Sequence, residues 1–291
     1  MAFIQPRRSV LYMPGSNARA LEKARSLPAD ALILDLEDAV APESKTLARK
    51  QVCEAVKTGG FGKREIVIRV NGLWTEWGEE DLAAAIAAKP NAVLVPKVSS
   101  ASDLQAIEER FAGHDPERET MIWAMMETPL AILNAGQIAA SGGRLRCFVM
   151  GTNDLIKEFR GTHMPDRANL YAALGISIAA ARAYGLAVID GVYNDIQNAS
   201  GFLDSCKQAK AFGFDGKTLI HPSQLEPCNE VFAPSAAEVE SAKKIIAAFE
   251  LPENKGKGAI SLDGRMVELL HAEIARNTVA LADSIAALQD L

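Results

Sequence analysis

Two acidic residues stand just behind apolar runs in the middle of the chain. Glu127 follows Met121-Ile122-Trp123-Ala124 through Met125-Met126, and Asp154 follows Cys147-Phe148-Val149-Met150 through Gly151-Thr152-Asn153. If the two runs are neighbouring barrel strands, their ends lie about 4.8 Å apart. Two carboxylates so placed converge on one hard cation and leave room for water and substrate oxygens. Magnesium fits, because it typically takes one or two carboxylates and fills its shell with water and ligand oxygens. The competing reading is a pair of solvated or ion-paired loop acids. The pair together favours the metal over that reading.

A second acidic cluster is Asp35-Leu36-Glu37-Asp38, directly behind Leu32-Ile33-Leu34. Buried acids need partners, and Arg69, inside Val67-Ile68-Arg69-Val70-Asn71-Gly72, is the expected partner of Glu37. Its guanidinium fork also suits a substrate carboxylate or carbonyl. Asp38 reads equally well as a cap for a helix starting near Ala41-Pro42-Glu43. Lys97, behind Val95-Pro96, is expected to pair with a rim acid. Pro14-Gly15-Ser16-Asn17 opens a helix carrying Arg19, Lys23 and Arg25, a weak signal for a phosphate at a helix start. His221 stands alone, with no second histidine at metal-binding spacing. No Gly-x-Ser-x-Gly elbow is present, so serine hydrolase chemistry has no support. Near the C-terminus, Asp263 and Glu268 read on their own as solvated turn and helix-start acids. On a mobile cover they become candidate bases.

These residues share one context. Eight short apolar runs, near residues 10, 31, 66, 92, 121, 147, 187 and 218, each end in polar or charged residues. Buried parallel strands read as continuous apolar runs, and eight of them separated by helical stretches predict an α/β fold, a (β/α)8 TIM barrel. The C-terminal strand ends of that fold form its active-site face, so the chain reads as an enzyme. Between the runs, Ser16 is expected to cap a helix with Leu21, Ala24 and Leu27 on one face. Ser102-Asp103 is expected to open another. Ser235 with Glu238 has capping-box spacing. The expected division is a barrel with a trailing helix over 1–251 and a C-terminal lid module over 252–291. The lid starts with the polar hinge Pro252-Glu253-Asn254-Lys255-Gly256-Lys257-Gly258 and continues as strand, turn and long helix.

Composition limits the function. The net charge of −6 disfavours non-specific nucleic-acid binding. No apolar stretch reaches membrane-spanning length, and the first residues lack the apolar core of a signal peptide. The four cysteines have neither metal-finger nor redox spacing, and reduced thiols in a cytoplasm are the expectation.

Arg8-Ser9-Val10-Leu11-Tyr12-Met13-Pro14-Gly15 resembles the opening of the citrate lyase beta-subunit-like proteins of the HpcH/HpaI aldolase superfamily. The resemblance continues through Leu34-Asp35-Leu36-Glu37-Asp38-Ala39-Val40, Arg69-Val70-Asn71, Pro96-Lys97, Glu127-Thr128, Gly151-Thr152-Asn153-Asp154-Leu155 and Ile220-His221-Pro222. It spans nearly the whole chain and implies a magnesium-dependent barrel acting on CoA thioesters of small hydroxy-dicarboxylic acids. It further implies that Glu127 and Asp154 bind Mg2+, that Glu37 and Asp38 order the metal's waters and Arg69, and that Arg69 holds the acid fragment. CoA phosphates would lie near Arg19 and Lys23. It also implies a homo-trimer or homo-hexamer whose C-terminal module covers a neighbouring subunit's site. Lyases of the family commonly carry a lid aspartate, and here the matching residue is Glu268. That ending, with Gly191-Val192-Tyr193-Asn194 and Phe214-Asp215-Gly216-Lys217-Thr218, looks most like the malyl-CoA thioesterase branch. The expected activity is carbon–carbon cleavage of a malyl-CoA-like thioester to an oxo acid and an acyl-CoA. The alternative is hydrolysis of the same thioester, with Glu268 activating water.

Overall fold

A computed structural model describes residues 4–115 and 117–289. The described residues divide into two units, one over Arg7–Asn229 and one that joins 4–6 to 230–289.

The first unit is the expected barrel. Its strands are β1 (Ser9–Pro14), β2 (Ala31–Asp35), β3 (Glu65–Arg69), β4 (Ala92–Val95), β5 (Met121–Met126), β6 (Leu145–Met150), β7 (Ala187–Asp190) and β8 (Gly216–Leu219). They pair in chain order, all parallel, and β1 closes on β8. Around them lie α1 (Ala18–Ala24), α2 (Lys45–Thr58), α3 (Gly78–Ala88), α4 (Ala101–Phe111), α5 (Pro129–Leu133), α6 (Ala135–Ala140), α7 (Thr152–Glu158), α8 (Tyr171–Ala183) and α9 (Ala199–Phe212).

Each strand run hides a two-residue period. Val10, Ala31, Ile33, Val67, Ala92, Leu94, Trp123, Met125, Cys147, Val149 and Ile189 pack together as one buried cluster in the barrel's interior. The residues between them, such as Leu32, Leu34, Ile68 and Phe148, are equally buried. The sequence looks uniformly apolar because a parallel barrel strand is covered on both faces, inside by its neighbours' side chains and outside by helices. Carried one step toward the strand ends, the inward set becomes Tyr12, Asp35, Arg69, Glu127 and Gly151, and all five line one cavity. The apolar cluster is thus the floor on which the polar residues stand.

Several local expectations change. Asn17, not Ser16, caps α1, accepting the Ala20 N–H at 3.0 Å, and the helix stops at Ala24. Ser100 opens α4 in a capping box with Asp103, two residues before the expected start. Asp38 caps nothing: the turn at Pro42–Ser44 is entered from Ala41 without a side-chain cap. Asp190, at a strand end, does not belong to the mouth. It is fully buried between Lys217 Nζ at 2.6 Å and Arg167 Nη1 at 2.7 Å, an ion group that ties β7 to β8.

In the remainder, α10 (Leu225–Phe232) carries the chain across the division, followed by α11 (Ala236–Glu250), a hairpin of β9 (Ala259–Leu262) and β10 (Arg265–Glu268), and α12 (Leu269–Gln289). The Ser235–Glu238 capping box of α11 is present. The division falls earlier than the expected 251/252 because α11 packs with the C-terminal segment: Ala248 and Phe249 are buried with Ile260, Val267 and Ala272. No helix among the described residues is long and apolar enough to cross a membrane.

Candidate active site

The cavity at the C-terminal strand ends holds about 290 Å³. On one side, Arg69 is 6% exposed and Asp35 fully buried. They are register partners on adjacent strands, and Arg69 gives both Nε and Nη2 to the two Asp35 oxygens at 2.6 Å. Asp35 also accepts the N–H groups of Glu37 at 2.9 Å and Ala39 at 3.0 Å. These bonds shape the turn that brings Glu37 Oε2 to 2.9 Å and Asp38 Oδ2 to 3.2 Å from Arg69 Nη1. The expected Arg69–Glu37 pair therefore exists, but Asp35 takes the bidentate edge. The fork expected to meet substrate is already spent on Asp35, and only the Nη1 corner faces the other acids.

Burial pushes the Glu37 carboxyl up to about 8, with Arg69 pulling it down and Asp38 and Glu127 pushing it further up. Burial likewise works against the charge on Arg69, and Asp35 more than offsets it, so the guanidinium stays charged. The face of the Tyr12 ring lies 4.8 Å from the guanidinium carbon.

Across the mouth, Glu127 is 2% exposed. One of its oxygens accepts the Lys97 N–H at 2.8 Å. Lys97 makes that bond from a left-handed backbone conformation, φ 51°. The other oxygen, Oε2, lies toward Gly151, where a Cβ would sit 2.5 Å from it and 2.4 Å from the Glu127 Cβ. A side chain at 151 would therefore collide with Glu127. Burial raises the Glu127 carboxyl to about 7; the Lys97 N–H lowers it and Asp154 raises it. Lys97 Nζ lies 3.4 Å from Asp154 Oδ1. Burial disfavours that ammonium, but Asp154 and Glu127 outweigh burial and raise its pKa.

Glu127 thus directly follows β5, while Asp154 lies in the first turn of α7, which follows the adjacent strand β6, and the Lys97 ammonium is already drawn to them. Among the described residues no group of three or more His, Cys, Asp or Glu side chains is placed to hold a metal. A two-carboxylate site of this kind suits an ion that completes its shell with water and ligand oxygens.

Of the other candidates, Asp38 lines the cavity and the rest do not. Arg19 and Lys23 are exposed on α1, outside the cavity lining. Asp38 lines the cavity with its side chain 71% exposed. His221 is a cap: its Nδ1 accepts the Ser223 N–H at 3.2 Å and meets the Ser223 hydroxyl at 2.8 Å. Glu268 ends β10 in the other unit, exposed, with its own N–H on His271 Nδ1 at 3.0 Å. The residues that sequence reasoning missed are Asp35 as the principal partner of Arg69, and Tyr12. Their signal was the two-residue period, Ala31-Ile33-Asp35 and Val10-Tyr12, masked by apolar residues in between.

An enzyme of the (β/α)8 class follows from a filled barrel whose charged groups converge at the C-terminal strand ends. The sequence pattern of HpcH/HpaI aldolase/citrate lyase matches residues 8–222, and the chain belongs to this family. It is 51% identical over 282 residues to a (3S)-malyl-CoA thioesterase of Cereibacter sphaeroides, covering 97% of this chain and 96% of that protein. It is 37% identical over 268 residues to the citrate lyase subunit beta of Escherichia coli K12, covering 90% and 88%. Among solved structures, CitE from Mycobacterium tuberculosis in complex with magnesium, acetoacetate and coenzyme A is similar, with a TM-score of 0.76, 26% identity, and coverage of 94% of this chain and 97% of that one. The protein is thus an enzyme of the citrate lyase beta-like family.

Proposed function

We propose that the protein hydrolyses the thioester of a malyl-CoA-like substrate, releasing a hydroxy-dicarboxylic acid and free CoA. The observation that carries this reading is the 51% identity to a (3S)-malyl-CoA thioesterase along 97% of the chain. That similarity runs past residue 222, where the family match stops, and so includes the segment that holds Glu268.

Glu127 and Asp154 hold Mg2+ in this reading, with Asp38 touching the metal's shell through water. The ion, when bound, supplies Lewis-acid charge to the oxygens of the acid fragment. Arg69 presents its Nη1 corner to the same fragment. Glu37 and Asp38 keep that corner in place and order water beside it. Glu268 is the base that takes a proton from the attacking water. Arg19 and Lys23, on the helix that follows β1, face the CoA phosphates. The assembly is a homo-trimer or homo-hexamer in which the C-terminal module covers a neighbouring subunit's site. A cytoplasmic setting agrees with four free, buried thiols.

A second reading keeps the same site and breaks a carbon–carbon bond, giving an oxo acid and an acyl-CoA. The 37% identity to citrate lyase subunit beta favours it. Incubation of (3S)-malyl-CoA with protein and Mg2+, with free thiol and glyoxylate followed separately, decides between the two. Thiol without glyoxylate supports hydrolysis; glyoxylate in step with substrate loss, without thiol, overturns it.

A further inference from the structure

β1 brings one more group to the mouth. Tyr12 packs on the interior apolar cluster, lines the cavity and lays its ring against the Arg69 guanidinium. Its hydroxyl makes no hydrogen bond among the described residues. The neighbouring polar groups are engaged. Thr218 gives its hydroxyl to the Asp190 carbonyl at 2.9 Å. Asn153 and Asn194 bond to each other at 2.8 and 3.2 Å. Arg69 faces Asp35, Glu37 and Asp38. A phenylalanine would fill the same space against the cluster, and a partly buried phenol usually finds a partner.

The barrel order fixes where that partner comes from. β1 stands four strands from β5 in a closed ring of eight, so Tyr12 and Glu127 belong to opposite walls. A substrate whose acid oxygens lie on the Glu127–Asp154 side and reach the Arg69 Nη1 corner turns its remaining end toward β1, the strand ahead of the helix that carries Arg19 and Lys23. In a malyl-CoA-like molecule that end is the thioester.

We propose that Tyr12 is a catalytic residue whose hydroxyl donates a hydrogen bond to the thioester carbonyl oxygen. The assignment rests on the hydrolytic reading above. In the step it serves, the oxygen of water bonds to the thioester carbon and the base takes the water's proton. The carbonyl π pair moves onto the oxygen facing Tyr12. The oxyanion then collapses, the C–S bond breaks, and the CoA thiolate leaves and takes up a proton. Tyr12 keeps its own proton throughout. Burial and the acids around it push its pKa up, so it stays a neutral donor. A fixed donor aimed at developing charge acts mainly on kcat.

The test is Tyr12→Phe, which keeps the ring and its packing. Thiol release from malyl-CoA is expected to fall roughly 100-fold in kcat, with KM within about three-fold and the melting temperature unchanged. The second measurement is calorimetric binding of L-malate with Mg2+, since malate places a carboxylate oxygen where the thioester oxygen was. The variant is expected to bind malate about ten-fold more weakly. A kcat within two-fold of the parent overturns the proposal. If the parent releases no thiol, the hydrolytic reading fails and the malate affinity decides for Tyr12: weaker binding keeps the hydrogen bond, and equal binding, or none by the parent, overturns it.

Discussion

Asp35 and Arg69 are tied by two 2.6 Å hydrogen bonds across the β2–β3 register, and the same Asp35 holds the turn that carries Glu37 and Asp38. One buried aspartate therefore sets both the arginine and the acids around it. Arg69→Lys keeps the charge but cannot meet both Asp35 oxygens and the Nη1 partners together. Turnover is expected to fall more than 100-fold. Asp35→Asn leaves a buried guanidinium short of its main partner and is expected to cost about 3–5 kcal/mol in denaturant unfolding. An Arg69→Lys enzyme with near-parent kcat would remove Arg69 from the site.

The Glu127 carboxyl, at about 7 against an ordinary 4.5, makes the metal-free protein sensitive to pH. Between those values the folded chain holds a proton that the unfolded chain has lost. The stability this confers is fully present below about pH 4.5 and is lost as pH rises through 7. Metal-free Glu127→Gln is expected to be more stable than the parent at pH 8, by on the order of 3 kcal/mol, and equal to it near pH 4.5. Mg2+ must displace the same proton, so its affinity is expected to rise about ten-fold from pH 6 to pH 8. Glu127→Gln and Asp154→Asn are each expected to abolish turnover while circular dichroism stays that of the parent.

Gly151 is the residue that lets Glu127 keep its place. Gly151→Ala drives a methyl group into the Glu127 side chain, and the cost of such overpacking is about 1–3 kcal/mol. Mg2+ affinity, read by calorimetry, is expected to drop at least about ten-fold. A normal affinity would mean that the metal is held elsewhere.

Glu268→Gln is expected to lower thiol release about 100-fold with Mg2+ binding unchanged, since Glu268 lies in the other unit. Glu268→Asp shortens the reach and is expected to lower thiol release as well. Asp263→Asn, in the hairpin turn, is expected to stay near parent activity. Equal product formation by Glu268→Gln and the parent would place the base on another residue.

Cutting the chain after Pro252 removes Ile260, Val267 and Ala272 from Ala248 and Phe249. The product is expected to keep the barrel's circular dichroism and to bind an apolar dye through the bared face of α11. A cut protein that binds no more dye than the parent would show that α11 is covered without the hairpin.

The barrel was legible because all eight strands are apolar on both faces, and runs such as Ala92-Val93-Leu94-Val95 have no other reading at that length. Glu127 and Asp154 were legible because nothing apolar explains acids so soon after two buried strands. Asp35 was harder to place. In sequence it is one of three acids, and a two-residue period alone puts it on the same side as Glu37; what separates them is that β2 ends at Asp35, which meets Arg69 in register, while Glu37 lies in the turn beyond. Asp190 also ends a strand, yet its partner Lys217 sits in β8, 27 residues further on, and no local pattern marks the pair. The polar stretch at 252–258 reads in sequence as a linker, whereas Phe249 is buried with Val267 and both sides of that stretch fall in one unit.

Ser9, Val10 and Leu11 pair with Lys217, Thr218 and Leu219, and Gly216 approaches so closely that a Cβ there would meet the Arg7 carbonyl at 1.8 Å. A nascent chain can join β1 to β2 early, but the other side of β1 stays bare until nearly the whole barrel has left the ribosome. Bare strand edges recruit other chains, and contacts this distant in sequence form slowly. The first strand to be synthesised is the last to have both its neighbours.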